Sequence, residues 1–317
     1  MTQTVFTQKI ALGAWAWGTG FAGGDQVFGN HLTADDLKPV FERSMELGLT
    51  LWDTAAVYGM GTSEKILGSF IQNHPREKLT ISTKFTPQIA AESEHPAQVM
   101  LDESKQRLNI DYADIYWIHN NADVEKWTPE LIPLAKSGQI KHIGVSNHNL
   151  EEIKRASSIL AKEGLRISAV QNHYSLMHRV SEYSGILDYC KDNGVVFFSY
   201  MVLEQGALSG KYDSQHPFAD GSARAASYNQ HLPKIEALTQ VLKEVAEQYK
   251  ASVAQIATAW AIAKGTLPII GVTTVAQVED AALAAHIELS EADLEKIEAS
   301  AEKLGISTIR EWETTVI

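Results

Sequence analysis

Residues 50–84 read TLWDTAAVYGMGTSEKILGSFIQNHPREKLTISTK, and their pattern sets the architecture of the whole chain. A short apolar run at 50–53 and another at 79–84 flank a segment of helical spacing over 63–72. Neither run alternates polar with apolar residues as a half-exposed strand does, so both are expected to be parallel strands covered on two faces. The same unit recurs on either side, with candidate strands at 10–15, 114–119, 140–145, 167–171, 195–200 and 268–271. Helices are expected from Ala34, capped by Thr33 with Asp35 and Asp36 in its first turn and Gly48 past its end, and over 96–108, 129–136, 150–162 and 181–193.

Strand–helix units in this number admit a closed barrel or a doubly wound open sheet. An open dinucleotide-binding sheet carries a glycine fingerprint after its first strand. Gly13-Ala14-Trp15-Ala16-Trp17-Gly18 does not fit that fingerprint, and no later segment does. The expected fold is therefore an α/β, (β/α)8 TIM barrel occupying residues 1–317 as one domain. Two features exceed the repeat. A Gly-, Ser-, Ala- and Asp-rich stretch of about thirty residues separates the seventh strand from helices starting near Leu232, and a connection of that length is usually functional. Two extra amphipathic helices follow the eighth strand, near 276–285 and 291–304, the second capped by Ser290.

The formal charge of −12 over 317 residues argues against a nucleic-acid partner, which calls for a basic stripe. The first apolar run is interrupted by Gly13, Gly18 and Gly20, unlike a signal peptide or a membrane span, so a cytoplasmic protein with no membrane partner is expected. Cys190 is the single cysteine, which excludes an intrachain disulfide, and its amphipathic surroundings read as a buried helical thiol.

In a barrel the strand ends converge on one rim. Here the second strand ends in Asp53, followed by Tyr58, the third in Lys84 and the fourth in His119. Singly, each has a structural explanation: a helix cap, a packing ring, a solvated amine, a structural imidazole. Together they form a proton-donating set. An ammonium near Tyr58 is expected to lower its pKa, Asp53 to keep Lys84 charged and aimed, and neutral His119 to hydrogen-bond the same oxygen, which suits hydride transfer to a carbonyl. A metal-dependent hydrolase using His119, His148 and His173 lacks ligands on the first strand, and a glycosidase using Glu204 lacks its second carboxylate on the fourth. No metal is expected.

The run Asp-Thr-Ala-x-x-Tyr-Gly from Asp53 to Gly59, with Ser63-Glu64 and Leu67-Gly68, resembles the signature of the aldo-keto reductase superfamily. The likeness extends through Lys84, Asp114 to His119, Gly144-Val145-Ser146-Asn147, Gln171, Ser199-Tyr200 and Gly206 to Tyr212, and so covers nearly the whole chain. It implies an NAD(P)H-dependent oxidoreductase acting on a small-molecule aldehyde or ketone, a sugar-like one among the candidates, or on the alcohol in reverse. Tyr58 is implied as general acid/base, Asp53 and Lys84 as its tuning pair, and His119 as the carbonyl-orienting donor.

The resemblance also implies a cofactor site. Ser146, Asn147 and Gln171 would hold the nicotinamide carboxamide, with Asp53 and Trp15 beside it and Tyr200 stacked on the ring. Met201, Val202, Leu203, Gln205, Gly206, Leu208, Gly210 and Lys211 would cover the pyrophosphate. Gly271, Val272, Thr273, Thr274, Gln277 and Asp280 would surround the adenosine. Trp17 and Asn120 join Tyr58 and His119 as the implied substrate wall, and Trp117 and Trp312 are further aromatic candidates. The family default is NADP(H), yet no Lys or Arg occurs between Gly265 and Glu295 to meet a 2′-phosphate, which leaves NAD(H) open; Arg224 or Lys211, in the long seventh connection, could reach over to compensate, and a surface salt bridge is the competing role for Arg224. The alternative from another functional class is a non-catalytic, nucleotide-binding regulatory subunit, since such relatives keep the same four residues.

Overall fold

Parallel strands bury both faces only if helices or other strands cover them, and eight apolar runs satisfy this by closing on themselves. The computed structural model describes residues 6–306 and residue 313. The strands are β1 (Ala11–Gly13), β2 (Leu51–Asp53), β3 (Thr80–Phe85), β4 (Ala113–Ile118), β5 (Ile140–Ser146), β6 (Ile167–His173), β7 (Val196–Tyr200) and β8 (Leu267–Gly271). Each pairs in parallel with the next, and β8 pairs with β1 to complete a closed barrel. Every expected strand is present, with ends shifted by one or two residues.

In chain order the helices are α1 (Gly24–Phe28), α2 (Ala34–Glu46), α3 (Thr62–Ile71), α4 (Pro96–Leu108), α5 (Val124–Lys136), α6 (Leu150–Ala161), α7 (Val180–Tyr183), α8 (Ile186–Asp192), α9 (Ala223–Tyr228), α10 (Leu232–Tyr249), α11 (Val253–Ala263), α12 (Val275–Ala284) and α13 (Glu291–Glu302). Reciprocal capping boxes start α2 (Thr33 with Asp36), α6 (Asn149 with Glu152), α11 (Ser252 with Gln255) and α12 (Thr274 with Gln277). Of the two helices after β8, α12 packs against α11 and α2 and thereby also completes the helical ring, while α13 lies against α10. Among the described residues no helix is long and apolar enough to cross a membrane.

Two segments differ from the sequence expectation. The helix expected over 181–193 is two, α7 and α8, separated at Gly185, whose φ of +80° interrupts the helical hydrogen bonding. The helix expected from residue 129 begins five residues earlier at Val124, because Asp123 caps it by accepting from the Lys126 amide, and Pro129 and Pro133 lie inside it. Helices α1 and α9, in the connections after β1 and β7, had no counterpart in the expected pattern.

The barrel interior is filled by Leu51, Ile115, Trp117, Ala169, Phe198 and Leu267, with Phe6 joining them and meeting the Phe198 ring edge-to-face at 5.5 Å. Trp117, an aromatic candidate for the pocket, belongs to this core: it is fully buried and its Nε1 donates to Ser82 Oγ at 2.5 Å. Its ring lies over Gly144 on β5, where an added Cβ would come 2.1 Å from Trp117 Cε3. Gly144→Ala is therefore expected to lower unfolding free energy by about 1–3 kcal/mol through overpacking, read as a drop in the denaturant midpoint at constant slope. An unchanged midpoint would mean that the ring is not held against β5.

Candidate active site

The C-terminal strand ends bring the four expected residues together. Asp53 closes β2, and its carboxylate receives Lys84 Nζ from β3 at 2.5 Å and Ser82 Oγ at 2.6 Å. Lys84 is wholly buried and also donates to the Thr54 carbonyl at 2.8 Å, so its ammonium is fixed from two sides. Gln171, on β6, reaches the same Asp53 carboxylate at 3.3 Å. Tyr58 follows β2 in a tight turn, with Lys84 Nζ 5.1 Å from its ring centroid. The His119 ring meets Tyr58 edge-on at 5.8 Å, and Trp15 stacks on the other side of Tyr58 at 5.8 Å. His119 Nδ1 is 2.9 Å from Thr86 Oγ1, a partner with no motif to announce it in the sequence.

Burial governs the protonation states of this cluster. It holds His119 well below the usual imidazole range, assisted by the nearby Lys84 charge, so His119 is neutral. It also lowers Lys84, an effect that the Asp53 carboxylate partly offsets. For Tyr58 the direction is opposite to the sequence expectation. Burial, and then the negative charge of Asp53, push the phenol well above its ordinary range. Burial denies a phenolate its hydration, and the Asp53 carboxylate beside Lys84 repels it. Tyr58 rests as a protonated phenol.

Asp53, Tyr58 and His119 open onto a cleft of about 630 Å³ that continues across the rim, with Lys84 buried beneath it. Its walls include Trp15, Asp53, Tyr58, His119, Asn120, Ser146, Asn147, Gln171 and Tyr200, then Met201, Val202, Leu203, Gln205, Gly206 and Lys211, and finally Gly271, Thr273, Gln277 and Asp280. Besides Lys84 and the core residue Trp117, five of the expected residues do not line it. Trp17 is fully buried with its Nε1 donating to the Val272 carbonyl at 2.7 Å, which removes both from the cleft. Leu208 is buried beneath its own loop, Gly210 packs against Val253, and Thr274 faces its helix as the cap of α12. Trp312 lies outside the described residues. Phe28, Asn30, Val57, Tyr212, Ser252 and Gln255 line the cleft without having been expected: Phe28 ends the short α1, Ser252 and Gln255 stand at the start of α11, and the others lie in connections with no periodic signal.

His148 and His173 do not join His119. His148 Nδ1 lies 2.7 Å from the Ser146 carbonyl, and His173 Nε2 is 2.7 Å from Glu204. Among the described residues no group of three or more His, Cys, Asp or Glu side chains is arranged to hold a metal ion. Cys190 is buried in α8, where burial pushes its thiol up to about 12.

A closed barrel with an acid, a phenol, an amine and an imidazole on its C-terminal rim defines a barrel oxidoreductase when set beside known proteins. The sequence profile of the aldo/keto reductase family matches residues 9–302, and the chain belongs to that family. It is 31% identical over 296 residues to an aldo-keto reductase of Gibberella moniliformis, a match covering 87% of each chain. It is 30% identical to the aldo-keto reductase yakc [NADP(+)] of Schizosaccharomyces pombe, over 81% of this chain and 80% of that one. Among solved structures, a thermostable aldo-keto reductase in complex with the inhibitor epalrestat superposes with a TM-score of 0.74 at 25% identity, over 92% of this chain and 95% of the other.

His148 beside the cleft yields a stability test. Burial lowers its pKa from 6.5 to about 4. Between those values the unfolded state binds the extra proton and the folded state does not, so stability falls as pH falls through this window. The contribution amounts to about 3 kcal/mol at most. His148→Gln is expected to lose less stability than the parent between pH 7 and pH 4.5, measured as denaturant midpoints. Equal losses would show that His148 titrates normally.

Proposed function

We propose that the protein reduces an aldehyde or ketone to an alcohol, or runs the reverse reaction, with a nicotinamide dinucleotide in the cleft and Tyr58 as proton donor. The observation that carries this reading is the cluster at one end of the cleft: a protonated Tyr58, a neutral His119 and the buried Lys84–Asp53 pair. The residues present fit such a cofactor. An apolar cleft with a half-buried Tyr200 ring suits a flat heterocycle, and the polar side chains of Ser146, Asn147 and Gln171 suit its carboxamide. Farther along, Met201, Gln205 and Gly206 have φ of 60°, 52° and 103°, turning loop backbone toward the cleft as an anion cradle does. Arg224, also on the wall, has a buried Nε with no hydrogen-bond partner.

The reduced nicotinamide, when bound, supplies hydride to the carbonyl carbon. The chain's own residues manage the oxygen. His119 donates a hydrogen bond to it from Nε2, with Thr86 donating to Nδ1 to fix that tautomer. Tyr58 transfers its proton as negative charge develops there. The Lys84 ammonium stabilises the phenolate left behind, and Asp53 holds that ammonium in place. The apolar wall of Trp15, Phe28 and Val57 excludes water from the transfer.

Arg224 is assigned to the reacting half of the cofactor. Its Nη2 donates to the Phe28 carbonyl at 3.3 Å, the Phe28 ring meets Trp15 at 5.2 Å, and Trp15 stacks on Tyr58. That contact chain leads to the catalytic end. A shared pyrophosphate is therefore its partner, in place of the 2′-phosphate that distinguishes NADPH.

Two measurements test this function. Tyr58→Phe is expected to lower kcat by about 10²–10⁴-fold while cofactor Kd changes by less than about threefold, since the proton donor is lost and the ring is kept. Near-normal turnover of a generic aldehyde would refute the assignment. Arg224→Ala is expected to weaken NADH and NADPH by a similar factor, on the order of tenfold, as loss of a charge-assisted hydrogen bond requires. A loss confined to NADPH would reassign Arg224 to the adenosine phosphate.

A further inference from the structure

Beneath Tyr200 lies a second polar layer that the proposed chemistry does not use. His173, the last residue of β6, is 2% exposed and lies between two carboxylates, Glu204 at 2.7 Å from Nε2 and Glu313 at 3.0 Å from Nδ1. Glu204 comes from the long connection after β7 and also accepts from Ser175 and from Tyr228 at 2.8 Å. Glu313 lies beyond α13 and is 1% exposed. Its carboxylate is 2.9 Å from the Tyr200 hydroxyl, which lies 2.6 Å from Asn147 Oδ1. Asn147 Nδ2 in turn donates to the His119 carbonyl at 3.0 Å. A continuous polar chain thus runs from the loop after β7, through His173, Glu313, Tyr200 and Asn147, to the backbone of the catalytic histidine.

Charge counting separates the roles of the two acids. Burial works against the protonated His173, yet Glu204 and Glu313 outweigh it and hold the imidazole up at about 9. One imidazolium neutralises one carboxylate, and Glu204 already occupies one nitrogen with two further donors. A second fully buried carboxylate is costly unless hydrogen bonds are made to it. What Glu313 contributes that Glu204 does not is the contact with Tyr200.

We propose that Glu313 is a positioning residue for the cofactor platform: it shares the Tyr200 hydroxyl proton with Asn147 Oδ1 and so fixes the Tyr200 ring before the nicotinamide arrives. The proposal rests on the reading that a nicotinamide dinucleotide occupies the cleft. Because Glu313 does not line the cleft, its effect appears as lost pre-organisation.

The test uses the full chain with NADH and NADPH as probes, binding being read from quenching of protein fluorescence well below the melting temperature. Glu313→Ala is expected to raise Kd and KM about tenfold with kcat within about twofold, as loss of one ordered hydrogen bond predicts. Glu313→Gln, which retains an acceptor for Tyr200, is expected to recover most of the affinity. Tyr200→Phe should lose a similar factor, and Tyr200→Phe with Glu313→Ala no more than either alone. Unchanged Kd in Glu313→Ala, even with a lower melting temperature, would overturn the proposal, as would additive losses in the double variant. Should Glu313→Ala fail to fold, Tyr200→Phe decides, since parental affinity there removes the hydroxyl's role. A parent protein that binds neither cofactor would fail at the earlier reading instead, before any variant is made.

Discussion

A three-residue strand holds the barrel shut. Ala11–Gly13 pairs with β2 on one side and with β8 on the other, and so joins the first strand–helix unit to the last. The approach is close: a Cβ on Gly13 would stand 3.1 Å from Ile269 Cγ2. Once the ring is closed with all strands parallel, their C-terminal ends share one rim and the interior between them is solid side chain. Any polar group at the end of a strand then has two options. It reaches into the rim cleft, as Asp53, Ser146 and Gln171 do, or it finds partners inside, as Lys84 does. The active-site geometry follows from closure more than from any one loop.

Closure also sets the electrostatics. A buried ammonium and a buried carboxylate each lose hydration, and only close pairing with further hydrogen bonds offsets that loss. Asp53 and Lys84 meet this condition through Ser82, Gln171 and the Thr54 carbonyl. Elsewhere Glu64 does so with Thr83 and Arg107 at 2.5 and 2.6 Å. Burial, and then the Asp53 charge, keep Tyr58 a phenol in the resting site.

Much of this was legible in the chain itself. The strands were readable because burial on both faces leaves continuous apolar runs, and the clustering of Asp53, Tyr58, Lys84 and His119 because strand ends in a barrel converge. The helices α2, α4 and α6 announce themselves through Thr33, Pro96 and Asn149 at their starts. What resisted was set by tertiary contact. Trp17 and Trp117 have the same type as Trp15, yet Trp17 is drawn inward by the Val272 carbonyl and Trp117 by Ser82, while Trp15 faces the cleft. Thr86 reaches the site from the turn after β3, and Phe28 and Arg224 from α1 and α9, helices too short for a periodicity that marks the direction of a side chain. Gly185 was visible as a residue, but a single glycine inside an amphipathic pattern does not reveal that it adopts a left-handed turn.

The rim also stores strain where the strands stop. Asn147 and Met201, immediately after β5 and β7, hold φ of 58° and 60°, and Glu204 and Gln205 follow at 47° and 52°. Outside glycine each such residue costs on the order of 1–3 kcal/mol, so the surroundings must over-determine it. They do. Asn147 is tied by its amide to the His119 carbonyl and by its oxygen to Tyr200, and its backbone amide donates to Gln171. Glu204 is tied by its carboxylate to His173, Ser175 and Tyr228, and by its backbone amide to Met201. The polar layer under Tyr200 thus has a conformational use as well as an electrostatic one: it holds two strand ends in left-handed turns that aim side chains and loop backbone into the cleft. Hydrogen bonds made at folding hold that geometry in place, so a ligand does not have to supply it on binding.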